Sequence, residues 1–314
     1  MQPTRETAVL TVANVRRPKG RRVTECRFNE REQIFTIPTA ARSREIVNRL
    51  RTALRTRRPV KAVVNARRGV VQRVEPLSPR ELDEFEKRRT FLEEPDKPVR
   101  IRVSEIDPTT FNIVDRYLKF PTFRLCRRIV PNYKTAKKIF DFCAQQSCHL
   151  PGPPVVAPCI PFQYVRDGCY ARAHQMRKII TQRFGYCCEK VFSFANRNDD
   201  DLAVRANKWG GCCVTWWYHV APLIRVRVRL GPFSVVLALV VDPSMFDKPV
   251  LLSTWLMAQE NTGCAPNANV SMYSIQSGAA YTPVNYQGTA FATDPTYTST
   301  NATLILYRNL TTCP

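Results

Sequence analysis

The stretch Asp167–His174 (DGCYARAH) contains the feature that decides the fold, a cysteine that follows an Asp-Gly turn. The segment from Cys169 to Phe184 is predicted to form a helix, which Gly185 caps at its C-terminus. A helix N-terminus offers partial positive charge and free backbone N–H groups, which stabilise a thiolate and can bind an oxyanion. The position also suits a disulfide partner or a buried thiol, because the chain has 12 cysteines.

A cysteine nucleophile needs a base, and the chain offers three histidines. His149 lies in a predicted loop. His174 follows Cys169 by five residues on the same helix and so points away from it, which indicates a surface or supporting role. His219 lies on a long predicted strand, Cys212–Arg229. We therefore predict that His219 is the base.

Asp242 ends a strand predicted from Ser234, and this strand forms a hairpin with the His219 strand about Gly231-Pro232. The pairing places His219 opposite residue 242 or 244, and both positions share its face of the sheet. A carboxylate there would fix the imidazole tautomer and stabilise the imidazolium. Because Pro243 follows, Asp242 also suits a simple turn.

A helix-start cysteine, a strand histidine and a next-strand aspartate follow the papain- and transglutaminase-like order. The predicted fold class is therefore α+β, with an antiparallel sheet packed on helices, preceded by a small α/β domain. This pattern leaves peptide cleavage, acyl transfer to an amine and deamidation open, since all three pass through a thioester.

The charge of the chain is strongly positive and uneven. A formal net charge of +22 is concentrated in the N-terminal half. Such a domain suits nucleic acid or an acidic surface as partner, yet the sequence contains no zinc-finger spacing, RNP-type strand or GxxG loop. We therefore expect a solvated surface, or one that binds the less basic half of the chain, and no nucleic-acid partner. A non-catalytic basic binding protein is the alternative of another class.

The cysteines indicate disulfides rather than a metal site. All but Cys26 lie between Cys126 and Cys313, there is no CxxC pair, and adjacent pairs such as Cys187–Cys188 are poor chelate spacings. We expect no metal and no cofactor. No apolar run is long enough to span a membrane, and we expect no membrane partner. The expected location is secreted or periplasmic, with the leader not seen at Met1–Val15.

The remaining chain is assigned from hydrophobic periodicity and turn signals. Residues 1–20 are predicted to be disordered, and residues 95–128 to be a connecting segment with a basic, protease-sensitive cluster at Arg124, Arg127 and Arg128. Residues 151–161 and 196–209 are predicted loops, and the tail from Asn261 is predicted to form short strands and loops held by Cys264 and Cys313. The other predicted strands are Gln33–Ile37, Val60–Asn65, Val70–Glu75 and Glu189–Phe194. The other predicted helices are Ser43–Arg58, a helix opened by a capping box at Ser78 and running to Glu94, Asn132–Cys148 and Lys248–Gln259.

Four motifs carry a specific resemblance. They are Asp167–His174, Gly185–Lys190 (GYCCEK), Cys212–Val220 (CCVTWWYHV) and Val241–Phe246 (VDPSMF), with Pro249-Val250 and Trp255 beyond them. Over residues 129–280 the chain closely resembles secreted bacterial protein-glutaminases. The resemblance implies Cys169 as nucleophile, His219 as base and Asp242 as the group that orients it. It also implies hydrolysis of protein-bound glutamine to glutamate and ammonia, without metal or cofactor, by a transglutaminase-like core.

The segment Val23–Lys87 resembles the pro-region of that family. This implies a zymogen with a disordered basic N-terminus (1–20), an inhibitory pro-domain (21–95), a connecting segment with the cleavage site (96–128) and a catalytic domain (129–314). An activating protease would generate an enzyme that starts near Arg128–Asn132. We expect a monomer whose pro-domain is its own inhibitor, with Glu32 or Gln33 beside Cys169 as a substrate mimic.

The expected substrates are glutamine-containing proteins, and four aromatic residues are candidate contacts: Trp216, Trp217, Tyr218 and Tyr170. Trp217 shares the strand face of His219, whereas Trp216 is the better match to the family, and core packing is the alternative role. A transglutaminase or a cysteine protease with the same triad remains an alternative to deamidation.

Overall fold

The computed structural model describes residues 5–18, 22–38, 43–100, 126–150, 157–196, 200–230 and 233–313. The elements of the N-terminal region, residues 5–88, are β1 Arg5–Leu10, β2 Val12–Arg16, β3 Val23–Phe28, β4 Phe35–Pro38, α1 Ser43–Thr56, β5 Val60–Asn65, β6 Val70–Pro76 and α2 Pro79–Arg88.

The following elements are β7 Thr90–Phe91, β8 Val99–Arg100, β9 Ile129–Val130, α3 Tyr133–Ala144, α4 Cys169–Phe184, β10 Glu189–Phe194, β11 Leu202–Arg205, β12 Cys213–Trp216, β13 Tyr218–Leu230, β14 Phe233–Val240, β15 Val250–Leu251, α5 Leu252–Met257, β16 Met272–Gln276, β17 Ala280–Pro283, β18 Phe291–Thr293 and α6 Thr298–Tyr307. Residues 126–313 are called the C-terminal region below.

The N-terminal region is a sheet covered by one helix. Its strands run in the order β1-β5-β6-β4-β3-β2, and α1 buries Leu50 and Ala53 against them. The prediction of disorder over residues 1–20 is wrong for the described part, because β1 pairs with β5 and β2 pairs with β3. β1 and β2 are thus the two edge strands of the sheet, and they pair the backbone groups that β5 and β3 would otherwise expose.

Two other N-terminal predictions need smaller corrections. The capping box at Ser78 is confirmed, but its helix ends at Arg88 rather than Glu94, because Thr90–Phe91 pairs with β18 of the C-terminal region. The strand predicted from Gln33 begins at Phe35 instead, and Gln33 forms an isolated bridge with Trp216.

The C-terminal region contains the sheet that positions the site. Among the described residues its strand order is β15-β14-β13-β10-β16, with β9 added beside β13. The strand β8, which precedes the C-terminal region in the chain, pairs with β16 at the edge of this sheet. Helix α4 packs on β13, and α6 packs on α4. The interstrand pairings along this order are antiparallel, so the predicted α+β class with an antiparallel sheet on helices is confirmed.

The strand predicted over Cys212–Arg229 is two strands, β12 and β13, separated at Trp217. Strand β13 pairs with β14 from Leu223 opposite Val240. Continuing this register places position 219 opposite position 244, so the face predicted for His219 holds although the ladder ends before it. The break frees the backbone N–H of Trp217 for a partner outside the sheet.

Four predictions in the C-terminal half are corrected in extent. The helix predicted over Asn132–Cys148 is α3 with Asn132 as its N-cap, and the loop predicted over 196–209 contains β11 and a short 3-10 helix. The helix predicted over Lys248–Gln259 is β15 followed by α5. The tail contains helix α6, which packs on α4. Its sequence is mostly polar, but Leu304 and Tyr307 are buried. The predicted loop 151–161 lies partly outside the described residues.

Disulfides bind the C-terminal region together. Within the described residues the bonded pairs are Cys126–Cys187, Cys148–Cys159, Cys212–Cys313 and Cys213–Cys264. The tail is therefore held by Cys264 and Cys313, as predicted. The adjacent cysteines Cys212 and Cys213 bond to two different partners, whereas Cys188 beside Cys187 is a free thiol. Four disulfides agree with a protein that folds in an oxidising compartment. None of the described helices is long and apolar enough to cross a membrane.

Candidate active site

Cys169 is the first residue of α4, and it is a buried free thiol. The preceding Gly168 has φ 88°, and a Cβ atom there would lie 2.9 Å from the ring of Tyr307. Position 168 therefore needs glycine for both its conformation and its close packing. This turn leaves the backbone N–H of Cys169 outside the hydrogen bonds of the helix and available to a ligand.

His219 and Asp242 form a buried hydrogen-bonded pair. The distance from His219 Nε2 to Asp242 Oδ2 is 2.9 Å, and Trp255 donates to the same oxygen at 2.9 Å. Ser244 donates to the other carboxylate oxygen. Burial raises the pKa of Asp242, but the bonds from His219, Ser244 and Trp255 outweigh it and hold this pKa at about 2. Asp242 is thus a fixed negative charge behind the imidazole.

Trp216 holds the other side of the imidazole in place. Its ring stacks on that of His219 with centroids 4.4 Å apart and planes at 7°, and its indole N–H donates to the carbonyl of Val165 at 2.8 Å. Trp255 lies at the opposite face, 5.4 Å from the His219 ring. The histidine is therefore clamped between two indoles, which fixes the direction of both ring nitrogens.

Glu32 of the N-terminal region enters this site. Its Oε1 accepts a hydrogen bond from the backbone N–H of Cys169 at 2.9 Å, and Arg172 lies 3.3 Å from the same oxygen. Its Oε2 lies 3.0 Å from His219 Nδ1. One ligand-capable atom each of Glu32, Cys169 and His219 lies within 4.8 Å of the other two. A carboxylate therefore bridges the thiol residue and the imidazole.

The contacts of Glu32 change the ionisation of both partners. Burial raises the pKa of the Cys169 thiol well above its usual value, and the Glu32 charge raises it further while Arg172 opposes them. Burial lowers the pKa of His219, but the bonds to Asp242 and Glu32 outweigh burial and raise it. In this closed state both pKa shifts favour the protonated forms, the thiol of Cys169 and the imidazolium of His219.

The main chain around Glu32 lies along the β12–β13 break. Gln33 forms an antiparallel bridge with Trp216, and the Trp217 N–H donates to the Glu32 carbonyl at 3.3 Å. The Trp217 indole N–H donates to the carbonyl of Arg31 at 2.6 Å. The Gln33 side chain points away and donates to Ala66 within the N-terminal region. Of the two residues predicted to block the site, only Glu32 places its side chain there.

The four aromatic residues predicted to contact substrate have different partners in the structure. Tyr170 accepts a hydrogen bond from Arg31 at 3.1 Å, so it contacts the N-terminal region rather than the thiol side of the site. Tyr218 is buried and packs against Trp217 at 4.6 Å between ring centroids. Trp216 thus supports the histidine, and Trp217 contacts the inserted main chain, so the two indoles that the sequence left undecided have different contacts.

Arginines of the N-terminal region attach it to the C-terminal region. Arg16 and Arg27 both pair with Asp201, at 2.7 and 2.5 Å. Arg31 lies 3.3 Å from Asp167, which also accepts the backbone N–H of Glu32 at 3.2 Å. Part of the excess positive charge of the N-terminal region therefore forms ion pairs with the C-terminal region, which the sequence analysis gave as one expectation.

His174 is buried rather than exposed. Its Nδ1 accepts from Lys190 at 2.6 Å, and its Nε2 donates to the carbonyl of Asp294 at 3.1 Å. Burial and the Lys190 charge lower the pKa of His174 to about 2. His174 therefore stays neutral and ties α4 to β10 and the loop before α6, away from the thiol.

Arg172 was missed by the sequence reasoning, although it lies in the DGCYARAH motif. Its side chain is buried and donates to the carbonyls of Tyr164 and Asp167 at 2.6 and 2.7 Å, besides its contact with Glu32. An arginine one helical turn after a functional residue is the signal that could have identified it, because the two side chains share a helix face.

We predict that Arg172→Met destabilises the full chain by about 3–5 kcal/mol, because it leaves Glu32 and two carbonyls without their cationic donor in a buried site. Chemical denaturation followed by fluorescence measures the loss. Arg183→Met on the exposed end of the same helix is the control and should leave the midpoint unchanged. An unaltered midpoint in Arg172→Met would contradict the role given to this side chain.

Comparison with known proteins agrees with this geometry. A family model described as Glutaminase matches residues 136–259. A crystal structure of pro-protein-glutaminase is similar with a TM-score of 0.72 and 25% identity, covering 99% of this chain and 96% of that one. The NMR structure of protein-glutaminase from Chryseobacterium proteolyticum is 34% identical over 60% of this chain and 93% of that one, with a TM-score of 0.50. No curated protein gave a match.

The fold and the site define a cysteine hydrolase of the papain- and transglutaminase-like class. Two solved structures of protein-glutaminase are 34% identical to this chain over 91–93% of their length, and the pro-form is similar over nearly the whole of this chain. The chain belongs to the protein-glutaminase family, and its N-terminal region corresponds to the pro-region.

Proposed function

We propose that this chain is the proenzyme of a protein-glutamine deamidase, in which Cys169, His219 and Asp242 form the catalytic triad. The observation that carries this proposal is the contact of Glu32. A glutamate side chain, the product of glutamine deamidation, is bound by the Cys169 N–H and by His219. The inhibitory segment therefore fills the site with the chemical group that the reaction would release.

The direction of the inserted segment favours a side-chain amide as the substrate. The Glu32 side chain reaches the thiol residue, while the Glu32 main chain is bound by Trp217 at a distance from it. A cysteine protease would need a main-chain carbonyl at the sulfur. A deamidase or a transglutaminase needs a glutamine side chain presented from a bound main chain, and this is the arrangement that Glu32 imitates.

In the proposed mechanism the pro-region has left, so that the Cys169 thiolate can attack the side-chain carbonyl carbon of glutamine. The carbonyl oxygen of the glutamine side chain accepts a hydrogen bond from the Cys169 N–H, which binds Glu32 in the proenzyme. Protonated His219 gives its proton to the departing ammonia. His219 then takes a proton from water, which attacks the thioester and releases glutamate. Asp242 holds the imidazole and stabilises its cation throughout.

The disulfide of Cys126 supports a proposal for the boundaries of the pro-region. We propose an inhibitory domain that extends to about residue 95, a connecting segment, and a catalytic domain that includes Cys126 because Cys126 is bonded to Cys187. A cut after Arg127 or Arg128 would leave the pro-region attached through this disulfide. The activating protease is therefore proposed to cut before Cys126, and the protein to be secreted and to act as a monomer on glutamine-containing proteins.

The test is ammonia release from casein before and after limited trypsin treatment, with intact-mass analysis of the substrate. We expect ammonia to rise after cleavage, with a substrate gain of about one dalton per event, the difference between an amide and a carboxyl group. Electrophoresis without reductant should show the pro-region separating from the catalytic domain. Peptide fragments without ammonia would instead establish a protease. Cross-linked substrate that lacks the one-dalton gain would establish a transglutaminase, which also releases ammonia.

A further inference from the structure

We propose that the closed proenzyme binds one divalent zinc-class metal ion through Glu32, Cys169 and His219, and that this ion locks the pro-region onto the site. The catalytic proposal above uses these residues without metal, so the lock is a second use of the same atoms. It does not depend on which amide the enzyme hydrolyses.

The donor set is the first argument. A thiolate, an imidazole nitrogen and a carboxylate oxygen are the ligands that Zn²⁺ takes in proteins, and three protein ligands are enough for a tetrahedral site that keeps one further position. The three donor atoms of Glu32, Cys169 and His219 lie within 4.8 Å of one another. Ligands around a tetrahedral zinc ion lie about 3.3–3.6 Å apart, so small movements of the side chains would complete the site.

The hydrogen bond between Glu32 and His219 is the second argument. Glu32 Oε2 and His219 Nδ1 are 3.0 Å apart, close to the separation of two ligands that share one zinc ion. The other ring nitrogen of His219 is bonded to Asp242 at 2.9 Å. Metal-binding histidines usually donate their second N–H to a carboxylate, which fixes the tautomer and makes the ligand nitrogen a better donor.

Charge is the third argument. The thiolate form of Cys169 is opposed here by the carboxylate of Glu32, and Arg172 is the cation that contacts this carboxylate at 3.3 Å. A dication between the two anions removes their repulsion. Binding releases the thiol proton of Cys169 and the proton on His219 Nδ1 to solvent.

The pro-region makes this site specific to the closed state. Cys169 and His219 both belong to the C-terminal region, whereas Glu32 comes from the segment held by Trp217. Removing the pro-region leaves two of the three ligands. The ion would therefore bind the proenzyme more tightly than the mature enzyme and, by linkage, stabilise the closed state by the same factor.

The test is titration of the metal-free, disulfide-intact full chain with Zn²⁺ in competition with a chromophoric chelator, and with Co²⁺ as a spectroscopic probe. We expect one tight site, with a sulfur-to-cobalt charge-transfer band that identifies a thiolate ligand. Glu32→Ala should lower the affinity by more than the roughly 10–100-fold that loss of an outer hydrogen-bond partner costs. Glu30→Gln, a carboxylate two residues away that binds the Thr11 N–H instead, is the matched control.

Cys169→Ser should abolish the charge-transfer band while Cys188→Ser retains it. Wild-type binding no tighter than that of Glu32→Ala, or a band that survives Cys169→Ser, would overturn the proposal. Because these titrations need no turnover, their failure would leave the proposed deamidase activity intact. Equally, a chain that binds zinc here but releases no ammonia after activation would keep the metal site and reject the deamidase.

Discussion

Replacing Glu32 by glutamine is expected to turn the inhibitory side chain into a substrate, which the same molecule then converts back to glutamate. In Glu32→Gln the amide would lie where the carboxylate now contacts the Cys169 N–H at 2.9 Å and His219 at 3.0 Å. The main chain of residue 32 is held by the Trp217 N–H and by the bridge of the adjacent Gln33 to Trp216, so attack by Cys169 is intramolecular and needs no encounter. Effective molarities of well-oriented groups reach about 10⁵–10⁸ M, which favours complete conversion.

Peptide mapping by mass spectrometry measures this conversion at residue 32. The peptide should carry glutamate, about one dalton heavier than the encoded glutamine, at a rate independent of protein concentration. The double variant with Cys169→Ser should keep glutamine. Glu30→Gln is the matched control, because residue 30 binds the Thr11 N–H and lies outside the site, so its glutamine should persist. Glutamine retained at position 32 in a chain that deamidates casein after activation would show that Glu32 does not occupy the substrate position.

The parts of the site that could be predicted are those that depend on local rules. Cys169 follows a turn and begins a helix, which its own neighbours determine. His219 lies on β13 and Asp242 lies two residues past the end of its partner β14, and a period of two fixes which residues share a face whatever the exact register. The hydrogen bond between them at 2.9 Å follows from that parity, even though the ladder ends at Leu223.

What could not be predicted depends on contacts between distant segments. The choice of Glu32 rather than Gln33 follows from the bridge between Gln33 and Trp216, which turns one side chain into the site and the next into the N-terminal region. The break between β12 and β13 at Trp217 lets the Trp217 N–H bind the Glu32 carbonyl, and nothing in the local sequence predicts this break. The strands within residues 5–16 form because the sheet they border offers open edges, which a polar, basic stretch does not reveal.

The boundary of the catalytic domain is a similar case. A basic cluster at residues 124–128 is a reasonable place for proteolysis, but the sequence gives no disulfide connectivity. The bond from Cys126 to Cys187 assigns the residues just before β9 to the C-terminal region. Arg127 lies within this attachment, where it stacks on Tyr186 at 4.2 Å and donates from its main chain to Gly185. The disulfide and the contacts of the exposed Arg127 therefore attach the same short segment to the C-terminal region.

Removing the nucleophile or the charge behind the base is expected to abolish nearly all activity of the enzyme freed from its pro-region. Cys169→Ser should lower kcat by about 10⁴–10⁶-fold, because a serine hydroxyl is not ionised by an imidazole arranged for a thiol. Asp242→Asn should lower kcat by about 10⁴-fold, since asparagine cannot stabilise the imidazolium. Ammonia release from casein measures both, and Cys188→Ser, which alters another free cysteine, should keep full activity.

The pH profile separates loss of chemistry from loss of structure in Asp242→Asn. Asp242 raises the pKa of His219 by its hydrogen bond and charge, so its replacement should lower that pKa and move the alkaline limb of the profile to lower pH. Ser244→Ala removes only one donor and leaves the Asp242 carboxylate in place, so it should cost about tenfold or less without moving the alkaline limb to lower pH. If Asp242→Asn lowered activity equally at every pH while its unfolding midpoint fell, Asp242 would be a structural residue and the triad would reduce to Cys169 and His219.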